Sequence, residues 1–310
     1  MQSVIVSAPG SLMLMGEHAV LYGRRALVVA INRRLRVTLR RRTDRRVCLR
    51  SALGTWNTTL DALDIRPPFR FVLAALRRHR SALAAGVDVQ IESDFSHEVG
   101  FGSSAAVTVA LLQALAVLYY PRQRRPPGWL FLETRRVIRA VQGVGSGADA
   151  AASVHGGLVL YRAAPLLIRR LAVRQPLTAV YSGAKRPTPK VVRLVQAARR
   201  RQPRLWNGLF RLMDECVGCA LPALRRRDGP AVGALLNLHQ GLLEALGVSN
   251  AALGEICSRL RAAPGIRGAK ISGSGLGDCV VGWGRVAGPC GSYATFDLDI
   301  EPDGVRVEHG

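Results

Sequence analysis

A two-domain α+β fold is predicted for this 310-residue chain by three observations. Candidate strands and helices mix along it without the regular alternation of a doubly wound parallel sheet. Its hydrophobic content, 48%, is enough to close a packed core and too high for a chain that stays disordered. The apolar pattern weakens around residues 164–176, which divides the chain into segments 1–168 and 169–310, each of ordinary domain size.

The elements follow in order. Residues 4–7 form a short β-branched run that ends in Ala8-Pro9-Gly10, read as a strand and then a turn. Residues 12–15 and 26–37 read as strands, and between them Gly16 and Gly23 bracket Glu17-His18-Ala19-Val20-Leu21-Tyr22. Residues 69–83 have helical spacing with arginines on the outer face, and 87–92 alternate as a strand does. The apolar stretch 105–120, interrupted by Gln113, is too short to span a bilayer and reads as a buried helix. A helix over 129–141 ends at Gly143-Val144-Gly145-Ser146-Gly147, followed by Asp149 and a helix of small residues. Beyond the boundary come a strand at 177–182 and helices at 189–201, 205–224, 231–246 and 250–262. Residues 268–284 read as strand, glycine loop and strand, and two terminal strands surround Pro302-Asp303-Gly304.

Lys and Arg total 44 against 21 Asp and Glu, a net charge of +23. Only Lys185, Lys190 and Lys270 are lysines, a bias that codon usage in a GC-rich genome explains at least in part. Eight arginines face the single Asp44 between positions 33 and 46. That cluster is poor in aromatic and base-reading side chains, and no nucleic-acid-binding signature accompanies it. A solvated basic face is the expectation, with no specific nucleic-acid partner and no membrane span. No secretory signal is evident, and six cysteines in so long a chain do not make a disulfide scaffold, so a cytoplasmic protein is expected. The lone Cys216-x-x-Cys219 lacks the second pair or the histidines of a zinc site and reads as helix interior.

Three glycine loops stand at element boundaries. Gly100-Phe101-Gly102-Ser103-Ser104 opens the apolar helix, where glycines let a backbone approach an anion and unpaired N–H groups point at it. The two serines can cap that helix or contact phosphate or magnesium; taken alone, both readings stand. Asp149, just after the second loop, can favour a helix N-terminus or accept a proton from a substrate hydroxyl. The third loop, Ser272-Gly273-Ser274-Gly275-Leu276-Gly277, joins two apolar stretches. Together the three point to a phosphate-handling site.

Ala8-Pro9-Gly10 with Gly16-Glu17-His18-Ala19-Val20-Leu21-Tyr22-Gly23 resembles the first motif of the GHMP small-molecule kinases, in the form found in mevalonate kinases. Gly100-Phe101-Gly102-Ser103-Ser104-Ala105-Ala106 resembles their second, phosphate-binding motif, and residues 270–279 resemble the third. Residues 142–149 match the loop of the family's catalytic aspartate, in wording also similar to phosphomevalonate kinases. The resemblance implies a two-domain α+β kinase with its active site in the interdomain cleft, using ATP and Mg2+. It implies nucleotide binding over Gly100, Phe101, Gly102, Ser103, Ser104 and Ala105, with Ser104 near magnesium. Asp149 would be catalytic, Glu17 and His18 would sit near the acceptor, and Gly273 and Ser274 would close on phosphates and substrate.

Two departures accompany the match. The family lysine after Ala-Pro-Gly is here Ser11, at a catalytic position but without charge. The family's magnesium-binding glutamate falls on Ile138, and Glu133 lies roughly 140° away around the same helix. The expected partner is a small-molecule alcohol, most of all mevalonate. Phosphomevalonate or another small alcohol or sugar, and a weakened kinase-fold ligand-binding protein, are the alternatives; a homodimer is left open.

Overall fold

The structure, a computed structural model, describes residues 3–120 and 125–309. Its first layer is an eight-stranded sheet. Along one path the order is β12 (Arg306–His309), β1 (Ser3–Met15), β2 (Ala26–Arg41), β5 (Val87–Ser93), β3 (Arg46–Ser51) and β4 (Gly54–Thr59). The 16-residue β2 also pairs β6 (Leu158–Ala163) along its first half, and β6 pairs β7 (Leu166–Leu171). All pairings are antiparallel except β3 with β5. The second sheet is antiparallel, in the order β11 (Thr295–Asp299), β8 (Pro176–Tyr181), β10 (Cys279–Gly284), β9 (Ile266–Ser272). The two-domain α+β reading therefore holds. β7 still belongs to the first sheet and β8 opens the second, while the terminal β12 returns to the first.

Helices α1 (Arg70–Arg78), α2 (Ser103–Tyr119), α3 (Pro127–Gln142) and α4 (Ala148–His155) pack together, with α2 and α4 lying on β1 and β2. α2 is apolar on nearly every side and buried accordingly, as a core helix must be. In the second half α5 (Thr188–Arg201), α6 (Pro203–Arg225), α7 (Gly229–Ala245) and α8 (Ala251–Ala262) accompany the second sheet, with α7 and α8 against β9. Asp228 and Asn250 cap α7 and α8, accepting from Ala231 N and Leu253 N. Among the described residues, no helix is long and apolar enough to cross a membrane.

Three expectations are corrected. Ala8-Pro9-Gly10 is not a turn: β1 runs straight through it, and its register against β2 shifts between Pro9 and Gly10. Irregular pairing is how a strand admits proline, and Gly10 is needed because a Cβ there would stand 2.8 Å from Phe101 O. Second, β3, β4, β6 and β7 were not expected. In β3 the buried Val47 and Leu49 alternate with Arg46, Cys48 and Arg50, so the charge run conceals a strand. Third, the basic cluster at 33–46 is not simply a solvated face. Arg34 is buried, donating to Ser7 Oγ (2.9 Å) and Gly304 O (2.7 Å), and it ties the C-terminal segment to β1. Cys216 and Cys219 both lie on α6, the first buried and the second exposed, and both are free.

Candidate active site

A cavity of about 1110 Å3 is walled by Ser11, Gly102 and Asp149 from the first half of the chain and by Lys185, Ser274 and Asp278 from the second. Its floor is the start of α2. Gly102 precedes that helix at φ 67° with no side-chain cap, so the serine-capped reading fails. A Cβ on Gly102 would sit 2.2 Å from Ser11 Oγ, which leaves glycine as the residue that fits. Ser103, Ser104 and Ala105 line the cavity. The first intrahelical donors are Ala105 N and Ala106 N, both to Gly102 O, so the amides before them are free for an anion. Phe101 does not line the cavity; its ring is buried 5.3 Å from that of Phe296, and it contributes its carbonyl, which accepts from Ser11 N at 3.0 Å.

Asp149 is the second residue of α4, after Gly147 at φ 93°. Its Oδ1 accepts from Ser11 Oγ at 2.8 Å, across 138 positions of sequence. Burial raises its pKa, and the Ser11 hydroxyl opposes the rise. The result is a carboxylate that lines the cavity with its orientation held and its basicity increased.

The Gly16–His18 turn is held from the second half of the chain. His18, at φ 58°, donates Nε2–H to Ser274 O at 2.9 Å, and burial lowers its pKa, so it is a neutral donor. Gly16 N donates to His239 Nε2 at 2.9 Å, which places the proton of that neutral ring on Nδ1, 3.8 Å from Glu17 Oε2. Lys270, fully buried, donates to Glu17 Oε1 and to Ile271 O. Burial pushes Glu17 up and Lys270 and His239 down, each towards its neutral form, and the Glu17–Lys270 contact resists this within the pair. Glu17 and His18 line the cavity, but their best polar contacts go to the protein, which anchors the turn. Ser272 adds a further tie, its Oγ accepting from Met13 N at 3.0 Å.

Gly100 and Asp278 bring the first and third glycine loops together, a Cβ on Gly100 being only 3.0 Å from Asp278 Cβ. Asp278 Oδ1 is buried with no hydrogen-bond partner. Burial, with a smaller push from Asp149, raises the Asp278 pKa to about 6, against the opposing charge of Lys185. A carboxyl whose folded pKa lies above its unfolded 3.8 contributes stability below that value and loses it as pH rises through 6. Asp278→Asn, which keeps the shape and tolerates the φ of 64°, is therefore expected to stabilise the fold at pH 8 by on the order of 2 kcal/mol. The gain should shrink at pH 5; urea denaturation at both pH values checks this, and an equal gain at both would remove ionisation as its cause.

For magnesium the donor set is sparse. Among the described residues no group of three His, Cys, Asp or Glu could hold a metal ion. Ile138 is buried at the cavity wall with Gly145 packed over it. Glu133 is engaged elsewhere: despite burial, Arg78 (2.5 Å) and Arg136 hold its pKa below the usual range. The Ser104 hydroxyl and the Asp149 carboxylate fit an ion that arrives on phosphates and keeps few protein ligands, as magnesium does, and do not form a resident cage.

Lys185, Lys270, His239 and Asp278 had no role assigned from sequence. One signal was present for the lysines: with three in the whole chain, Lys185 lines this cavity and Lys270 lies behind its wall on Glu17.

A family model described as GHMP kinases N terminal domain matches residues 69–157, and one described as GHMP kinases C terminal matches 220–286. The mevalonate kinase of Archaeoglobus fulgidus is 34% identical over 306 residues, covering 98% of this chain and 100% of the relative. That of Aeropyrum pernix is 32% identical over 322 residues, covering 97% of each. Among solved structures, L. major mevalonate kinase in complex with R-mevalonate matches with a TM-score of 0.78 at 23% identity, covering 98% of this chain and 97% of that one. Streptococcus pneumoniae phosphomevalonate kinase matches with a TM-score of 0.77 at 19% identity, covering 92% of each.

Proposed function

Because the chain belongs to the GHMP kinase family, we propose that it transfers the terminal phosphoryl group of ATP to the primary hydroxyl of mevalonate. The observation that carries the chemistry is the Ser11–Asp149 hydrogen bond, which aims a basic carboxylate into a cavity floored by the free amides of α2. Asp149 takes the hydroxyl proton as the alcohol oxygen attacks the γ-phosphorus in line, and the bond to the bridging oxygen breaks to release ADP. The α2 amides and the Ser103 and Ser104 hydroxyls hold the phosphates. Ser104 and Asp149 would hold a magnesium ion, which would supply neutralisation of phosphate charge when bound. His18, Gly273 and Ser274 border the acceptor.

Lys185 takes over the positive charge that Ser11 cannot bring. Its ammonium donates to His97 O at 2.6 Å, just ahead of the phosphate loop, and among the described residues it is one of two fixed cations on the cavity wall, with Arg70. Lys185→Met is expected to lower kcat by about 100-fold with a smaller change in the acceptor KM. Steady-state kinetics check this; an unchanged kcat would place the charge elsewhere.

That only Arg70 and Lys185 give fixed positive charge to the wall, among the described residues of an arginine-rich chain, favours mevalonate over its phosphate. A phosphorylated acceptor would bring a second cluster of negative charge beside ATP with little to meet it. The test is ADP release from magnesium ATP with mevalonate, phosphomevalonate and a sugar panel side by side. Turnover with mevalonate is expected. Turnover with another acceptor alone would move the substrate, and binding of ATP without turnover would favour a ligand-binding role.

A further inference from the structure

A second cavity, about 610 Å3, lies outside the cleft and is lined by Tyr22, Arg24, Arg199, Arg204, Asn207, Phe210 and Arg211. Four guanidinium groups from three separate elements converge on it: the segment after the Ala19–Tyr22 turn, the end of α5, and α6. None of the four forms an ion pair among the described residues. Their neighbour Arg25 differs, holding both oxygens of Asp214 at 2.9 and 2.8 Å. Like charges gather in one concavity at an electrostatic cost unless an anion offsets it.

The walls are also built. Tyr22 stacks on Phe210 at 4.7 Å and 15°, and the Arg199 guanidinium covers the Tyr22 ring at 4.5 Å. Arg199 Nε donates to Asn207 Oδ1 at 2.9 Å, which orients the guanidinium. With Phe210 on one face of Tyr22 and Arg199 on the other, no aromatic face is left for a base. Recognition here is by charge and guanidinium geometry. Arginine forks match phosphate oxygens in pairs, and four forks exceed what one phosphate can use.

We propose that this cavity is a second anion site that takes a diphosphate or longer polyphosphate group. It is tied to the cleft through one short turn, since Val20 and Leu21 line the cleft and Tyr22 lines this cavity.

The test is calorimetric titration of inorganic pyrophosphate into the intact protein saturated with a non-hydrolysable ATP analogue. One saturable event is expected, at least 10-fold weaker in an Arg204→Ala/Arg211→Ala double variant. Both side chains are exposed and outside the reaction machinery, so turnover without pyrophosphate should be unchanged in that variant and reports its folding. A second variant, Arg24→Gln, should weaken binding in the same direction. Absence of saturable binding, equal binding by the wild type and all variants, or equally tight binding of sulfate at matched ionic strength would each overturn the proposal. Pyrophosphate held in the cleft instead would be displaced by the ATP analogue and would ignore the substitutions, so failure of the kinase reading gives a different pattern.

Discussion

Asp149→Asn is expected to lower kcat by about 1,000-fold while leaving ATP affinity within a few-fold of wild type. On the proposed function the substitution removes the proton acceptor and keeps the side-chain shape, while the phosphates are assigned to a different element, the start of α2. Single-turnover kinetics and nucleotide binding, measured on the same preparation, separate the two effects. Residual turnover within tenfold of wild type would exclude Asp149 as the base. The companion change, Ser11→Ala, should be milder and should show itself in the pH profile. The Ser11 hydroxyl stabilises the ionised carboxylate, so its loss raises the Asp149 pKa and moves the acidic limit of kcat/KM to higher pH.

Lys270→Met should be the most destabilising single change at the site. It leaves the Glu17 carboxylate buried with no cation, and the loss from breaking such a pair is about 3–5 kcal/mol. Glu17→Gln/Lys270→Met, which removes both charges, should recover much of that stability, because burying the charges offsets most of their mutual attraction. Urea denaturation of the two variants decides it. If the double variant is no more stable than Lys270→Met, the loss comes from packing and not from an orphaned charge. The same pair should matter to acceptor binding, since Lys270, His239 and Ser274 together hold the Gly16–His18 turn.

The glycine loops were legible because their demands are local. A backbone that approaches an anion at a helix start needs glycine and small residues at short spacing, and Gly100 to Ala105 state this within six positions. Asp149 was legible for the same reason, as a carboxylate between a glycine loop and a helix of small residues. The β3 and β4 hairpin was not, because Arg46 and Arg50 occupy outward positions of β3 and extend the charge run before it. The turn expected at Ala8-Pro9-Gly10 failed because β2 pairs with β1 before, through and beyond it, and carries it through a locally irregular register.

By itself the sequence determined the α+β class, the order of the helices beyond the boundary, the place of the three glycine loops and the departures at Ser11 and Ile138. Each of these rests on residue chemistry or periodicity within a short window. Only the tertiary structure decided what surrounds them. Ser11 meets Asp149 across 138 positions, and Lys270 meets Glu17 across 253. The first contact follows from α4 lying on β1 and the second from β9 meeting the end of β1, and no local pattern encodes them. Burial decided the rest: the same carboxylate is an exposed ion, a group of raised pKa at Asp149 or half of a hidden pair at Glu17, according to the water that folding removes from around it.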